Sequence, residues 1–264
     1  MTGIAWNAFS ETRDELKTWV NELDRSLPNL RAAQQALVDS RPSASFTIET
    51  PVVYNAALDD LGPDSEPRLI LVADNPGRRE QAAMNRRYLV GPSGKLADGF
   101  FRAHPELGID FYRNVLILNK TPIHTPRTAE LRELMRLGGP DVAKAITDSQ
   151  RRMADLIHRF HLALGSAQLW IIGYSELGKG KLFETFSDAL ANAYGADAGS
   201  AGAADNIYLF RHFSMNQFSA DIRKRTLEGE SCGEALQRIG SYYRERELGT
   251  RYPIFMHAAV VDRV

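Results

Sequence analysis

The sequence predicts an α/β fold with three layers, in which a central, mostly parallel four-stranded sheet lies between helices. Four short apolar runs each end abruptly at polar or turn-forming residues, as buried strands do. The segments between these runs are long enough to hold the helical crossovers that join parallel strands. The four predicted strands are Leu69–Val72, Val115–Leu118, Leu169–Ile172 and Ile207–Phe210.

Helices are predicted where apolar residues recur at helical spacing. Residues 1–48 are expected to form an N-terminal helical extension, because Leu16, Val20 and Leu23 fall on one helical face. The same spacing predicts a long amphipathic helix over Asp148–Leu164. Neither an internal repeat nor a shift in composition divides the sequence, so residues 1–264 are predicted to form a single domain.

The composition is that of a globular protein. Of the 264 residues, 44% are hydrophobic and 25% are charged, and no apolar run approaches the roughly 18 residues that a membrane span requires. The first residues lack the basic and apolar regions of a secretory signal. Cys232 is the single cysteine, which excludes an internal disulfide and a cysteine-ligated cluster and favours a cytoplasmic location. A net charge of -1 gives no overall attraction to nucleic acid, so such a role would require a local basic face.

Polar residues follow the predicted strands at their carboxyl ends, where parallel sheets bind ligands. Asp74 and Asn75 follow the first strand, Asn119 the second and His212 the fourth. Amides offer both donors and acceptors to a flat heterocycle, a carboxylate or amide can orient a water, and a histidine can stabilise charge on a leaving oxygen. These residue types suit hydrolysis of a nucleobase from its sugar, and equally the binding of a base or nucleotide.

Three other kinds of site are not expected. The Gly91–Lys95 segment lacks the preceding glycine and following hydroxyl of a phosphate-binding loop, which excludes a nucleoside triphosphate site of that type. His158 and His161 lie three residues apart on a predicted helix, but no third ligand is predicted nearby, so a metal site is not expected. Cys232 has no predicted histidine partner and is not expected to be a nucleophile.

Four of these segments, in this order, resemble the uracil-DNA glycosylase superfamily, most closely its single-strand-selective monofunctional type. Asp74-Asn-Pro-Gly77 is similar to the family's water-positioning Asn-Pro-Gly motif, and His212-Phe-Ser214 to its His-Pro-Ser motif. Asn119-Lys-Thr-Pro122 resembles the Asn-x-x-Pro element that reads the base, and Val52-Val-Tyr-Asn55 resembles the segment before the first motif. Tyr88–Leu96 is in addition similar to a Phe-Val-Gly-x-Ala-Gly-x-Leu run of the iron-sulfur branch, and the resemblance spans about residues 50–230.

The sequence departs from the family pattern at several positions. Asp74 stands where the single-strand-selective type has an apolar residue and the iron-sulfur branch a catalytic glutamate, and Phe213 replaces the proline of His-Pro-Ser. By its spacing from Asn75, Tyr88 stands where the family has the Phe that stacks on the base. If Val90-Gly91 is aligned with the family's Val-Gly, Leu89 stands there instead. Asn114 competes with Asn119 as base reader, and we favour Asn119 because it ends its strand. The cluster cysteines of the iron-sulfur branch are absent, so no cluster is implied.

The resemblance implies a monofunctional DNA glycosylase of base excision repair that flips a uracil or related damaged base out of DNA. Asp74 and Asn75 would hold the attacking water and His212 would stabilise the leaving base. Tyr88 would stack on the base and Asn119 would read its edge. No metal or organic cofactor is expected, and the implied partner is DNA containing a damaged base. Gly77 and Ser214 are further substrate-binding candidates, and the DNA-binding candidates are Arg78, Arg79, Arg86, Arg87, Arg223, Lys224 and Arg225.

Two alternatives to a glycosylase remain open. Phe213 motivates a catalytically altered family member that binds a nucleobase or nucleic acid without turnover. A structural or partner-interaction protein is the other, with the N-terminal helices and the charged C-terminal helix as its surface.

Overall fold

A computed structural model describes residues 1–41, 46–196 and 201–256 of the chain. Its four strands form one sheet in the order β2-β1-β3-β4, and every neighbouring pair is parallel. The predicted α/β class with helices around a central sheet is therefore confirmed, and the sheet is wholly rather than mostly parallel. The strands are β1 (Leu69–Ala73), β2 (Val115–Asn119), β3 (Gln168–Ile172) and β4 (Ile207–Phe210).

Ten α-helices lie in the described part of the chain, together with short 3-10 turns and one π-helical turn at Glu245–Gly249. They are α1 (Gly3–Ser26), α2 (Leu30–Asp39), α3 (Pro92–Ala103), α4 (Phe111–Asn114), α5 (Leu131–Leu137), α6 (Gly139–Leu164), α7 (Glu184–Ala196), α8 (Ala201–Ala204), α9 (Gln217–Arg225) and α10 (Cys232–Arg244). The long helix predicted to begin at Asp148 begins at Gly139 instead.

The core is built on both faces of the sheet. All five residues of β1 are buried, as expected for a strand with a neighbour on each side and helices above and below. Trp170 of β3 anchors an aromatic cluster, in which its ring lies 5.8 Å from Phe101 and 4.8 Å from Phe210 between centroids. Such contacts stabilise the sheet through buried area and ring geometry together.

The two N-terminal helices share this core rather than projecting from it. Phe9 of α1 is fully buried, and its ring lies 5.3 Å from that of Phe160 in α6. The buried Gln34 of α2 donates through Nε2 to the carbonyls of Pro51 and His124, at 2.9 and 2.8 Å. These bonds tie α2 to the segments that precede β1 and follow β2.

The strand order determines where a ligand can bind. Connections from β1 lead to β2 on one side, and the chain then crosses to β3 on the other side of β1. Such a reversal opens a crevice at the carboxyl ends of the two strands that flank it, here β1 and β3.

Among the described residues, no helix has both the length and the apolar character needed to cross a membrane.

Candidate active site

A cavity of about 970 Å³ opens at the carboxyl ends of the strands. Its floor comes from Ala73 at the end of β1, from Asp74 and Asn75 after it, and from Gly173 and Tyr174 after β3. This is the crevice that the strand order predicts. Further walls are supplied by Gly77–Glu80, by Leu89 and Gly91–Ser93, by Thr125–Ala129 with Arg132, and by Arg211, His212, Ser214, Met215 and Gln217.

Asp74 is held in a buried ion pair that the sequence analysis did not anticipate. The Lys120 ammonium is fully buried and lies 2.5 Å from Asp74 Oδ1, while the Asp74 side chain is 13% exposed. Lys120 also donates to the Ile172 carbonyl at 2.6 Å, and Thr128 Oγ1 donates to Asp74 Oδ2 at 3.2 Å. Burial lowers the pKa of Lys120, and the charge of Asp74 opposes that shift. The carboxylate at the cavity floor is therefore oriented at both oxygens and partly neutralised.

The backbone beside Asp74 is shaped to admit it. Gly173 has φ +78°, and a Cβ at this position would lie 2.8 Å from Asp74 Oδ1. A glycine both adopts this left-handed conformation without strain and leaves room for the carboxylate.

The amide of Asn75 has its donor end anchored. Its Nδ2 donates to Thr125 Oγ1 at 2.9 Å, and Thr125 Oγ1 donates in turn to the Arg127 carbonyl at 2.9 Å. This chain fixes which end of the Asn75 amide is nitrogen, and it directs the remaining acceptor, Oδ1, away from Thr125. Asn75 lines the cavity, so its oxygen is suited to accept a hydrogen bond from a water or a ligand there.

His212 is held as one neutral tautomer. The backbone N–H of Ser214 donates to His212 Nδ1 at 3.0 Å, which assigns the ring proton to Nε2. Burial lowers the pKa of His212; Asp74 raises it in part and Lys120 lowers it further. The imidazole is therefore uncharged at neutral pH and presents one N–H donor beyond its bond to Ser214.

A buried carboxylate shapes the loop between β1 and α3. Glu80 Oε2 accepts from the Gly77 N–H at 2.9 Å and Oε1 from the Leu89 N–H at 2.8 Å. Burial raises the pKa of Glu80 to about 7, against the lowering effect of these two bonds. Leu89 has φ +52°, an uncommon conformation for a leucine, and its carbonyl oxygen would lie 1.4 Å from a Cβ at Gly94.

Five exposed arginines surround the cavity mouth: Arg78, Arg79, Arg127, Arg132 and Arg211. Arg132 pairs loosely with Glu176 at 3.5 Å, and Arg211 with Asp221 at 3.4 Å. A neutral chain thus carries a local basic rim, which is the feature that a nucleic-acid role requires. Met215 lies at the same mouth, 83% exposed and with φ +53°.

Several predicted residues line this cavity and others do not. Asp74, Asn75, Gly77, Arg78, Arg79, His212 and Ser214 line it. Tyr88 does not: its ring is buried and its hydroxyl donates to the Val53 carbonyl at 2.6 Å. Leu89, the alternative from the Val-Gly alignment, occupies the wall instead. The stacking role predicted for Tyr88 thus has no support from its position.

The two candidate base readers lie at opposite ends of β2. Asn119 follows Leu118 beside Ala73, is 1% exposed, and its Nδ2 has no partner among the described residues. Asn114 Nδ2 donates to the Glu66 carbonyl at 2.8 Å, and Asn114 lines a separate cavity of about 980 Å³ beside edge strand β2. Asn119 does not line the cavity itself, but its register neighbour Ala73 does. Its unpartnered buried amide donor favours Asn119 over Asn114 as the candidate base reader.

The remaining basic candidates lie away from the cavity lining. Arg87 pairs with Asp60 at 2.8 Å and Arg225 with Asp221 at 3.0 Å. Arg86 is exposed in the loop before Tyr88, and Arg223 and Lys224 are exposed on α9. The predicted histidine pair forms no open metal site, because His161 Nδ1 contacts the Tyr194 hydroxyl at 2.5 Å and Nε2 the Ala167 carbonyl at 3.0 Å.

Sequence reasoning missed Lys120, Glu80, Thr125 and the arginines of the 127–132 segment and position 211. Lys120 could have been suspected, because it directly follows a strand end next to Asn119. No local signal marks Glu80, whose role depends on the path of the loop between Gly77 and Leu89.

A comparison of the chain with protein-family models finds none that matches, and a comparison with curated proteins finds no match either.

Proposed function

We propose that this protein is a monofunctional DNA glycosylase that hydrolyses the N-glycosidic bond of uracil or a related damaged base. One observation carries the proposal: Asp74, Asn75 and a neutral His212 line one cavity under a rim of five arginines. The sequence predicts Asp74, Asn75 and His212 as site residues, together with Arg78 and Arg79 of the rim. Their convergence supports the assignment of glycosylase chemistry to this cavity.

In the proposed reaction, the flipped base enters the cavity with its oxygen near His212. As the bond between the sugar C1′ and the base nitrogen breaks, its electron pair passes to the base. The Nε2–H of neutral His212 donates a hydrogen bond to the base oxygen, where negative charge develops. A neutral donor suits this role because its hydrogen bond strengthens as the charge grows.

The sugar cation is captured by water. Asn75 Oδ1 accepts one hydrogen bond from that water and so orients its lone pair toward C1′. Oxygen bonds to C1′, and the water's second proton is released to the base or to solvent. Asp74 contributes negative charge at the cavity floor, opposite in sign to the sugar cation, although its pairing with Lys120 reduces this effect.

The rim arginines would bind the phosphates on either side of the flipped nucleotide. Arg127 and Arg132 are as close to the cavity as Arg78 and Arg79, since all four line its wall. Met215 is an exposed apolar side chain on a left-handed backbone at this mouth. It has the character of the wedges that enter a base step when a duplex is opened.

The test is a base-release assay on single- and double-stranded oligonucleotides that carry uracil, hypoxanthine or xanthine. Wild type is expected to release at least one of these bases. His212→Ala and Asn75→Ala are each expected to lower the rate of base release roughly a hundredfold or more. Removal of a single donor that stabilises developing charge has an effect of this size in other enzymes. Asn114→Ala, at the end of β2 away from the cavity, serves as the amide control and should retain activity, whereas Asn119→Ala, beside Ala73 of the cavity floor, should not. Absence of base release from every substrate by folded wild-type protein would end the proposal.

A second candidate function is binding of a nucleobase or nucleic acid without turnover. The Asp74–Lys120 ion pair favours it, because a partly neutralised carboxylate stabilises a sugar cation less well. Equilibrium binding to an oligonucleotide containing an abasic site or a uracil separates the two. Tight binding that survives His212→Ala, together with no base release by wild type, would support a binding protein.

A further inference from the structure

Three metal-ligating side chains of different chemistry meet at the far side of the molecule. His104 Nδ1, a carboxylate oxygen of Glu106 and Cys232 Sγ all lie within 4.8 Å of one another. His104 Nδ1 and Glu106 Oε1 are 2.9 Å apart. The cluster brings the end of α3 to the start of α10, two elements far apart in the sequence.

The cluster lies away from the candidate active site. Glu106 shares a cavity of about 530 Å³ with Arg68, which precedes β1, and with Gln168, which begins β3. These residues mark the amino ends of the strands, whereas the candidate active site occupies their carboxyl ends. The cluster therefore does not belong to the chemistry proposed above.

The local structure holds each of the three groups in position. His104 caps α3, and its ring lies 4.7 Å from that of Phe100 between centroids. Pro105 begins a single 3-10 turn that turns Glu106 back toward His104. Cys232 is the first residue of α10, whose start is fixed by a capping box between Ser231 and Glu234.

The donor set selects a class of metal. One imidazole nitrogen, one carboxylate oxygen and one thiolate sulfur suit zinc, whereas calcium and magnesium require mainly oxygen ligands. In tetrahedral zinc sites with bonds of about 2.0–2.3 Å, ligand atoms lie roughly 3.3–3.7 Å apart. The one pair at 2.9 Å must open slightly to reach that range, and all three atoms lie within 4.8 Å of one another, so side-chain rotations are sufficient. The side chains of His104 and Glu106 are 35% and 50% exposed, which leaves an entry path and room for water as the fourth ligand.

We infer that His104, Glu106 and Cys232 form a binding site for a divalent metal ion of the zinc class. The metal forms bonds to His104 Nδ1, to Glu106 and to Cys232 Sγ, and water completes the coordination. The thiol proton of Cys232 and any proton on His104 Nδ1 are released to solvent, and no electron is transferred. Without metal, burial and the charge of Glu106 raise the pKa of the Cys232 thiol to about 11. A bound cation reverses the effect of that charge and stabilises the thiolate.

Such a site would act as a clip between α3 and α10. The opposite end of α3 carries Pro92 and Ser93, which line the candidate active site. A ligand that binds only the folded protein raises its stability by mass action. Metal binding would therefore raise the melting temperature of the protein and make α3 more rigid.

Cobalt(II) titration of the untagged protein tests the inference, because thiolate-bound cobalt has a charge-transfer band in the near ultraviolet. Cys232 is the only cysteine, so such a band would show that the Cys232 thiolate binds the cobalt. We expect the band to saturate at one cobalt per chain, visible bands of tetrahedral intensity, bleaching by zinc(II), and a rise in melting temperature with zinc(II).

The variants identify the other ligands. Cys232→Ser should abolish the band. His104→Ala and Glu106→Gln should each weaken cobalt binding by roughly a hundredfold, since even outer-shell partners are worth 10–100-fold. Glu228→Gln removes an exposed carboxylate from the loop before α10 and leaves the three ligands and the capping box intact, so it should bind as wild type does. Circular dichroism confirms that each variant is folded, and Cys232→Ala replaces Cys232→Ser if that variant is not.

Two results would overturn the inference. One is no thiolate band at any cobalt concentration with folded wild-type protein. The other is a band whose midpoint is unchanged in His104→Ala and Glu106→Gln, which would mean that Cys232 binds metal without a built site. Both readouts are independent of base release, so they are unaffected by the outcome of the glycosylase assay.

Discussion

The Asp74–Lys120 pair offers a quantitative test of the candidate site, because removal of either partner leaves the other charge buried. Loss of one partner of a buried pair typically costs about 3–5 kcal/mol. Each of these penalties also has an upper limit, because an unpaired buried group can become neutral by gaining or releasing a proton. At about 1.4 kcal/mol per pH unit, neutralising a lysine of ordinary pKa about 10.4 costs about 5 kcal/mol at pH 7, and neutralising an aspartate of ordinary pKa about 3.9 costs about 4 kcal/mol.

The two single variants are expected to respond to pH in opposite directions. In Asp74→Asn, Lys120 stays fully buried without its counter-charge and its folded-state pKa falls far below that of the unfolded chain. Its penalty therefore shrinks as pH rises, to about 2 kcal/mol at pH 9. In Lys120→Met, Asp74 remains at the cavity floor without its counter-charge, and this penalty is expected to shrink as pH falls toward 5. We expect Asp74→Asn to be the more destabilising, because the Lys120 side chain is 0% exposed and that of Asp74 is 13%.

Urea unfolding monitored by tryptophan fluorescence, to which the buried Trp170 contributes together with Trp6 and Trp19, measures these free energies. The double variant Asp74→Asn/Lys120→Met removes both charges and should unfold within about 1.5 kcal/mol of wild type at pH 7, since a buried pair and an uncharged replacement are often similar in stability. The coupling energy should then be about 3 kcal/mol or more. Single penalties that simply add, or two single variants whose penalties change with pH in the same direction, would refute the reasoning.

Three further results are expected. Gly94→Ala should cost more than about 3 kcal/mol in unfolding free energy because its Cβ would overlap the Leu89 carbonyl, whereas Gly99→Ala in the same helix, with open space around it, should gain up to about 1 kcal/mol; equal effects would contradict the close approach. Because burial raises the pKa of Glu80 to about 7, the native protein keeps a proton that the unfolded chain releases. Its stability relative to Glu80→Gln should therefore fall by about 3 kcal/mol between pH 4.5 and 7, and a pH-independent difference would show that Glu80 titrates normally. Arg127→Ala/Arg132→Ala should weaken oligonucleotide binding by fluorescence anisotropy and reduce the salt slope by about 1–2, while Arg223→Ala/Lys224→Ala, of equal charge but away from the cavity, should change neither.

The sheet and the edge that carries the candidate site are predictable because buried parallel strands have a local sequence signature. Leu69–Val72 reads as a continuous apolar run because helices cover both faces, and the structure extends it by one residue to Ala73. The polar residues that follow the first, second and fourth strands fall at one edge by topology alone. Asp74, Asn75 and His212 could therefore be assigned to a common cavity before their distances were known.

The path of the loop between β1 and α3 is not encoded in that way. The spacing from Asn75 predicts that Tyr88 lines the cavity. The left-handed backbone at Leu89 instead places the Leu89 side chain in the cavity wall and the Tyr88 side chain in the protein interior. That turn depends on Glu80, which bonds the Leu89 N–H, and on Gly94, which leaves room for the Leu89 carbonyl. The residues that make these contacts do not recur at a helical or strand spacing, so no periodicity in the sequence predicts them.

The contacts of Asp74 and Asn75 also separate two residues that the sequence presents as equivalent. Both carboxylate oxygens of Asp74 have donors, from Lys120 and Thr128, so this group already has fixed partners and contributes mainly charge. Among the described residues, the Asn75 side chain is hydrogen-bonded only through its nitrogen, which Thr125 anchors. Its oxygen is therefore both oriented and available, as a water-positioning group must be. In the proposed reaction, these contacts favour Asn75 as the group that positions the water and Asp74 as a source of negative charge.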